Sequence, residues 1–145
     1  MYAWIVGLAL KKVIARVNAG RPGLMVKMFA PDAEFVFPGE SSWAGTYRGR
    51  DEIRGFLDRF VAAGLQIDLV DVVVSGAPWS MRIVVRYTDR ARRDDGLIVY
   101  ENEGLIYDRL RRGRIAYHEV LHHHPERLAD FDTYLTDEGI IERKG

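Results

Sequence analysis

An α+β fold is what this sequence predicts, with about three helices in the N-terminal half, hairpin-linked strands after them, a short C-terminal helix and a single pocket. Two observations predict it. Apolar residues recur at helical spacing up to Gly64 and at alternate positions after it. Between Phe29 and Phe60, FAPDAEFVFPGESSWAGTYRGRDEIRGFLDRF, the chain passes from a helix end to a short strand, a Gly/Ser loop carrying one tryptophan, and an amphipathic helix. That order wraps helices around the rim of a curved sheet and leaves an aromatic-lined hole, a shape that takes a small, mostly apolar molecule.

The first helix is expected from Ala3 to about Ala19, where Trp4 and Leu8, and Ile5, Ala9, Val13 and Val17, recur while Lys12 and Arg16 lie elsewhere. Gly20 and Pro22 stop it. A second helix, Leu24–Phe29, ends before Pro31. Ala33–Phe37 alternates as a strand, with Phe35 and Phe37 on one face. Arg50–Ala63 is helical, with Ile53, Phe56, Leu57 and Phe60 as its stripe and Gly64 as its close. Strands follow at Gln66–Val74, Met81–Ala91, Leu97–Leu110 and Arg114–His122, joined by glycine-containing turns. Pro125 opens a last helix, Glu126–Leu135, where its missing N–H costs nothing.

At 145 residues, 48% hydrophobic and 29% charged, the chain suits one soluble domain, residues 1–145. Basic and acidic residues number 21 each, which argues against a nucleic-acid partner. Without cysteine there is no disulfide or thiolate chemistry, and a cytoplasmic location is the expectation. The opening MYAWIVGLAL has no basic residue before it and no small-residue cleavage site, so it is expected as buried helix rather than as a leader. It is also far short of the ~20 residues that span a bilayer, and no membrane partner is expected.

If Arg93–Gly96 makes a four-residue turn, Arg86 falls opposite Glu103, Thr88 opposite Glu101, and Arg82 opposite Tyr107. One sheet face then carries Arg82, Arg86, Glu101, Glu103, Leu105 and Tyr107, and the other Met81, Ile83, Val85, Tyr87, Tyr100, Asn102 and Ile106. A two-residue Arg111-Arg112 turn adds His118, Val120 and His122 to the charged face, and a slip of one residue in either turn swaps the assignment. The expectation is that the charged face is cupped inward beneath the helices, while the apolar face packs on a second copy as a homodimer.

On that reading Glu103 is a candidate base, held ionised by Arg86, which also stabilises negative charge. His118 is the second proton-transfer group, and His122 with Glu101 forms a further His–Glu pair. Trp43, Phe37, Tyr47, Leu105, Tyr107, Val120 and Val13 are the expected wall around a small apolar or amphipathic ligand. The run His122-His123-His124 gathers too few convergent ligands with Glu119 or His118 for a metal to be expected. No phosphate-binding loop, dinucleotide fingerprint or nucleophile elbow is present, so no cofactor is expected.

Several segments taken together carry a family resemblance: Val17-Asn18-Ala19-Gly20, Met28-Phe29-Ala30-Pro31-Asp32-Ala33, Phe37-Pro38-Gly39, Gly45 to Ile53, and Gly113-Arg114-Ile115. In this order the chain resembles the nuclear transport factor 2-like superfamily, in particular its SnoaL-like branch, over about Lys12 to Tyr134. The resemblance implies a cone-shaped α+β barrel with one deep pocket, usually dimerised through its sheet. It implies isomerase, cyclase or hydrolase chemistry on a hydrophobic ring or epoxide-like compound, or else a non-catalytic ligand-binding or dimerisation module. The acid–base positions of ketosteroid isomerases match Val13, Phe37 and Leu105 here, and one aspartate of limonene epoxide hydrolases matches Val120. None of these can move a proton, so neither reaction is inherited.

Overall fold

The computed structural model describes residues 3–140. Met1 and Tyr2 of the apolar opening run lie outside them. The elements in chain order are α1 (Ala3–Asn18), α2 (Gly23–Met28), β1 (Phe29–Phe37), β2 (Gly45–Arg48), α3 (Gly49–Ala62), β3 (Leu65–Ser75), β4 (Arg82–Arg92), β5 (Ile98–Arg111), β6 (Arg114–His122) and α4 (Pro125–Asp137). The strands form one curved sheet in the order β2-β1-β6-β5-β4-β3. Its β1–β6 pair is parallel and its other pairs antiparallel, so the sheet is mixed. The expected α+β class and arrangement of helices hold.

Two local differences have plain causes. β1 begins at Phe29 rather than Ala33, because Pro31 falls between Phe29 and Glu34, where the β1–β6 register is interrupted and a missing N–H breaks no ladder bond. β2 lies in what the composition marks as loop; its four residues pair with Glu34 to Phe37.

The helices and the sheet's inner face bury a common core. From the helices come Ile53, Phe56, Leu57, Phe131 and Leu135, and from the sheet Phe35, Ile83, Val85, Tyr87 and Ile106. Paired amide bonds fix the margins. Asn18 at the end of α1 donates to the Ile67 carbonyl at 2.8 Å and accepts from the Ile67 N–H at 2.9 Å. Asn102 donates to the His124 carbonyl at 2.9 Å and accepts from the N–H groups of Glu103 and His124, tying the turn into α4 to the sheet.

The composition of the β4 and β5 faces is as the sequence suggests, but the direction in which they point is reversed. Met81, Ile83, Val85, Tyr87, Tyr100, Asn102 and Ile106 are all buried inside the chain, beneath its own helices, and are not free to meet a second copy. Arg86, Glu101 and Glu103 face outward and are exposed, Leu105 is 37% exposed and Tyr107 partly so. The physical reason is area. The apolar stripes of α1, α3 and α4 need an apolar partner, whereas burying an Arg–Glu pair costs several kcal/mol per ion before any attraction returns it. The β4–β5 pairing is also displaced by two residues: Arg86 lies opposite Leu105, Thr88 opposite Glu103, Arg90 opposite Glu101 and Val84 opposite Tyr107. A bulge between Ala91 and Arg92 and a longer turn each contribute one step, so the parity survives.

In β6 the parity does not survive. The turn is Arg112-Gly113, both at positive φ, and a register shift follows between Arg109 and Leu110, where Arg109 pairs with Tyr117 but Leu110 with Ile115. The extra residue, Ala116, turns His118, Val120 and His122 onto the buried face with Ile106 and Asp108 rather than onto the face of Arg86 and Glu103.

Close approach explains one glycine on this face. A Cβ on Gly104 would lie 1.9 Å from the Leu121 carbonyl oxygen and 2.8 Å from the Tyr87 hydroxyl. Gly104→Ala should therefore separate β5 from β6 and cost about 3 kcal/mol or more in urea unfolding, beyond ordinary overpacking. A loss under ~1 kcal/mol would show that the strands part more easily than this spacing implies.

Candidate active site

Between the sheet and the helices lies a cavity with about 70 Å³ of free space. Phe35, Phe37 and Trp43 form its wall on the β1 side, Phe56, Leu57 and Phe60 of α3 its roof, and Ile106, His118, Val120 and His122 part of its floor. Val17 and Ile14 close one side from α1. Val13 is buried but does not border the space, and Tyr47 supports it from behind through Phe35 and Phe56, at ring-centroid distances of 5.9 and 5.0 Å.

Of the expected proton-transfer residues, His118 and His122 reach the cavity, while Glu103, Arg86 and Glu101 lie across the sheet in solvent. Arg86 and Glu103 are neither cross-strand partners nor an ion pair among the described residues. The carboxylates that do accompany the histidines are Asp108 and Asp89. Both interrupt otherwise apolar alternation, in Ile106-Asp108-Leu110 and Tyr87-Asp89-Ala91, and that irregularity was their signal in the sequence.

His118 and Asp108, each 3% exposed, stand opposite one another on β6 and β5, and a short hydrogen bond joins Nδ1 to the Asp108 carboxylate. An ionised carboxylate only accepts, so Nδ1 carries the proton, and in the neutral ring Nε2 is the nitrogen with the lone pair. The His118 ring borders the cavity and Asp108 does not, so the carboxylate is shielded behind the imidazole. Phe35 packs at 4.4 Å and Phe29 at 5.6 Å from the same ring, fixing its plane. The pair has the form of a base with a dedicated orienting group.

Further along β6, His122 Nε2 lies 3.5 Å from Asp89 Oδ2, beyond ordinary hydrogen-bond length, and its ring sits 5.0 Å from Phe37 and 5.7 Å from Tyr87. The hydroxyls of Tyr87 and Tyr100 border the same end. Burial first, and then the neighbouring Asp89 charge, holds both phenols far above their ordinary value. They are therefore hydrogen-bond donors at any working pH. Among the described residues, no three His, Asp or Glu side chains converge as a metal set.

The loop carrying Trp43 is held from three sides. Asp132 of α4 accepts from the Ser42 N–H at 2.7 Å and from its hydroxyl at 2.6 Å. Arg59 of α3 donates to the Ser42 carbonyl at 2.8 Å and to its hydroxyl, and its guanidinium lies 4.2 Å above the Trp43 ring. The Tyr47 hydroxyl donates to the Trp43 carbonyl at 2.7 Å. Sequence reasoning marked the tryptophan but not these ties, which connect residues up to 90 positions apart.

A model of the SnoaL-like domain family matches residues 10–118. The chain belongs to that family. Its SnoaL-like fold is shared with Bal32a from a soil-derived mobile gene cassette, at 20% identity over 92% of this chain and 98% of that one, with a TM-score of 0.73. An NTF2-like protein from Burkholderia pseudomallei K96243 aligns at 20% identity over 84% and 93% of the two chains, TM-score 0.69. TerC, crystallised with polyporic acid, aligns at 19% identity over 83% and 95%, TM-score 0.66. At these identities the likeness concerns the fold alone. No curated protein sequence matches the chain.

Two measurements check this geometry. Trp43 is 1% exposed while Trp4 and Trp79 are 66% and 71% exposed, so a blue-shifted emission component belongs to Trp43. Asp132→Ala should shift that component to the red and lower stability by about 1.5–3 kcal/mol, the range for hydrogen bonds to a charged group. Unchanged emission would mean that packing alone holds the loop. In an alkaline titration, Tyr87 and Tyr100 should not ionise until the fold opens. Above about pH 10 the unfolded chain loses phenolic protons that the native chain retains, so stability falls as pH rises, by ~1.4 kcal/mol per unit for each tyrosine. The last step in tyrosinate absorbance should coincide with loss of far-UV circular dichroism; full ionisation of an intact fold would contradict the burial.

Proposed function

We propose that the chain is a small-molecule enzyme that acts on a hydrophobic ring compound by acid–base chemistry carried by its own side chains, of the isomerase, cyclase or hydrolase type. The observation that carries this reading is the buried His118–Asp108 pair at the edge of an apolar cavity. His118 Nε2 takes a proton from a carbon next to a substrate carbonyl; the C–H bond breaks, its electron pair passes into the enolate, and the imidazolium is stabilised by Asp108. Return of that proton at another position gives isomerisation; attack of the enolate carbon on an internal carbonyl gives cyclisation, the C–O π pair passing to oxygen, which takes the proton back from the imidazolium. His122, paired with Asp89, is the second group able to deliver or accept a proton. Family membership supports the class of chemistry, and a fold relative crystallised with polyporic acid supports an organic ligand; neither supplies the substrate.

One observation favours a second reading. Most of the cavity wall is apolar, as a ligand carrier requires. A panel of cyclic ketones incubated in deuterated water separates the two. A positioned base typically contributes ~10²–10⁴-fold, so deuterium should wash into the acidic carbon with the wild type and slow by that order in His118→Ala, with Asp108→Asn also impaired. Binding without exchange, or exchange untouched by His118→Ala, would favour the carrier.

For the homodimer we propose the outer sheet face in place of the buried one. There Val84, Leu105 and Leu121, which are 36%, 37% and 44% exposed, lie beside Tyr107 and Arg86 on neighbouring strands. Sedimentation at micromolar concentration should show a dimer for the wild type and a monomer for Leu105→Glu; a wild-type monomer, or a dimer unmoved by that change, rules this face out.

A further inference from the structure

The cavity is polar at two ends and apolar between them. The floor runs from the His118–Asp108 row through Val120 and Ile106 to the row of His122, Gly104 and Tyr87, with Asp89 and then Tyr100 beyond it. At this far end the protein leaves its own polar groups unsatisfied. Tyr87 Oη, Asp89 Oδ1, Tyr100 Oη and Trp43 Nε1 are buried without a hydrogen-bond partner among the described residues. The Tyr100 hydroxyl faces Asp89 and Asn102 but forms no bond of ordinary geometry with either. The four residues are 1%, 6%, 4% and 1% exposed, and all border the cavity. Orphaned groups are uncommon in native interiors, and four around one space point to a ligand that completes them.

Their chemistry narrows that ligand. A carboxylate oxygen accepts only, an indole N–H donates only, and a phenol does either. A ring hydroxyl suits the set, giving its proton to Asp89 and accepting from a tyrosine. An ammonium could donate to Asp89 and to the phenol oxygens but has no lone pair for the Trp43 N–H, and a carboxylate is repelled by Asp89.

We infer that Asp89, Tyr87 and Tyr100 form a second polar subsite that holds a ring hydroxyl, so that the substrate is a compact ring compound oxygenated at both ends, one end at His118 and the other here. The role of the His118 end rests on the proposed acid–base reading; the subsite itself rests on the orphaned groups.

Affinity, followed by Trp43 fluorescence and calorimetry, tests it with three single-ring probes: hydroquinone with hydroxyls at opposite ends, phenol, and benzene. The wild type should bind the diol about ten- to a hundred-fold more tightly than phenol, the range for one hydrogen bond to a charged group. Tyr100→Phe and Asp89→Asn should each bring that ratio close to one. Tyr100→Phe should also leave the ligand-free protein as stable as the wild type or more so, since it removes a buried hydroxyl with no partner; a merely structural tyrosine would show the reverse. Equal affinity for hydroquinone and phenol in the wild type, or a ratio unmoved in both variants, overturns the subsite. Deuterium exchange dependent on His118 alongside a flat ratio would leave the proposed reaction standing and remove the subsite, whereas a preserved ratio without exchange would do the opposite.

Discussion

The sheet has one covered face, and everything the protein can do with an enclosed ligand must be written on it. The helices pack on one side only, so alternate positions of β4, β5 and β6 serve both as core and as cavity floor. A charged group at such a position is tolerable only with a partner, because an isolated buried carboxylate costs far more than a domain of this size has to spare. Asp108 meets that condition through the His118 Nδ1–H, which leaves the imidazole's other nitrogen free. The solution to a folding problem and the geometry of a base are here the same contact.

What aims that contact is the bulge in β6. Without the extra residue at Ala116, His118, Val120 and His122 would point outward toward Arg86 and Glu103, and Tyr117 and Glu119 would point inward. Bulges commonly re-aim side chains beside sites, and this one moves a whole strand's worth of chemistry across the sheet. Gly104 is the complementary device on β5: lacking a side chain, it lets the Leu121 carbonyl and the Tyr87 hydroxyl close over it, so the floor between the polar ends stays flat. The Trp43 loop completes the enclosure, held by α3 and α4 rather than by its own sequence.

Much of this was legible in the residues, and what was not has identifiable causes. Periodicity placed the helices and the long strands within a residue or two, and it sorted β4 and β5 into the two faces they have. It could not say which face is inside, because that depends on the summed apolar area of helices distant in sequence. It could not see the bulge at Ala116, since one unpaired residue leaves no mark in composition, and so it joined His118 to Glu103 rather than to Asp108. The corrective signal was present: an aspartate between Ile106 and Leu110, and another between Tyr87 and Ala91, each a charge in an apolar row. The short strand Gly45–Arg48 and the Ser42–Asp132 tie depend on partners no local pattern reveals.

The departure from better-known relatives takes on a different meaning once the inner face is known. Val13, Phe37, Leu105 and Val120 are apolar where ketosteroid isomerases and epoxide hydrolases carry proton-transfer groups, which by itself suggests an inert pocket. Yet Phe37 and Val120 border a cavity whose polar groups stand at His118, His122 and Asp89. Proton transfer needs a basic atom, an orienting partner and exclusion of bulk water, and it does not need them at any inherited position. A low-dielectric cavity strengthens a buried His–Asp pair for the reason that makes it costly to fold. Phe37 and Val120 therefore do not speak against the proposed chemistry; they supply the dry surroundings in which a relocated pair would act, whereas Val13 lies off the cavity and Leu105 on the outer face.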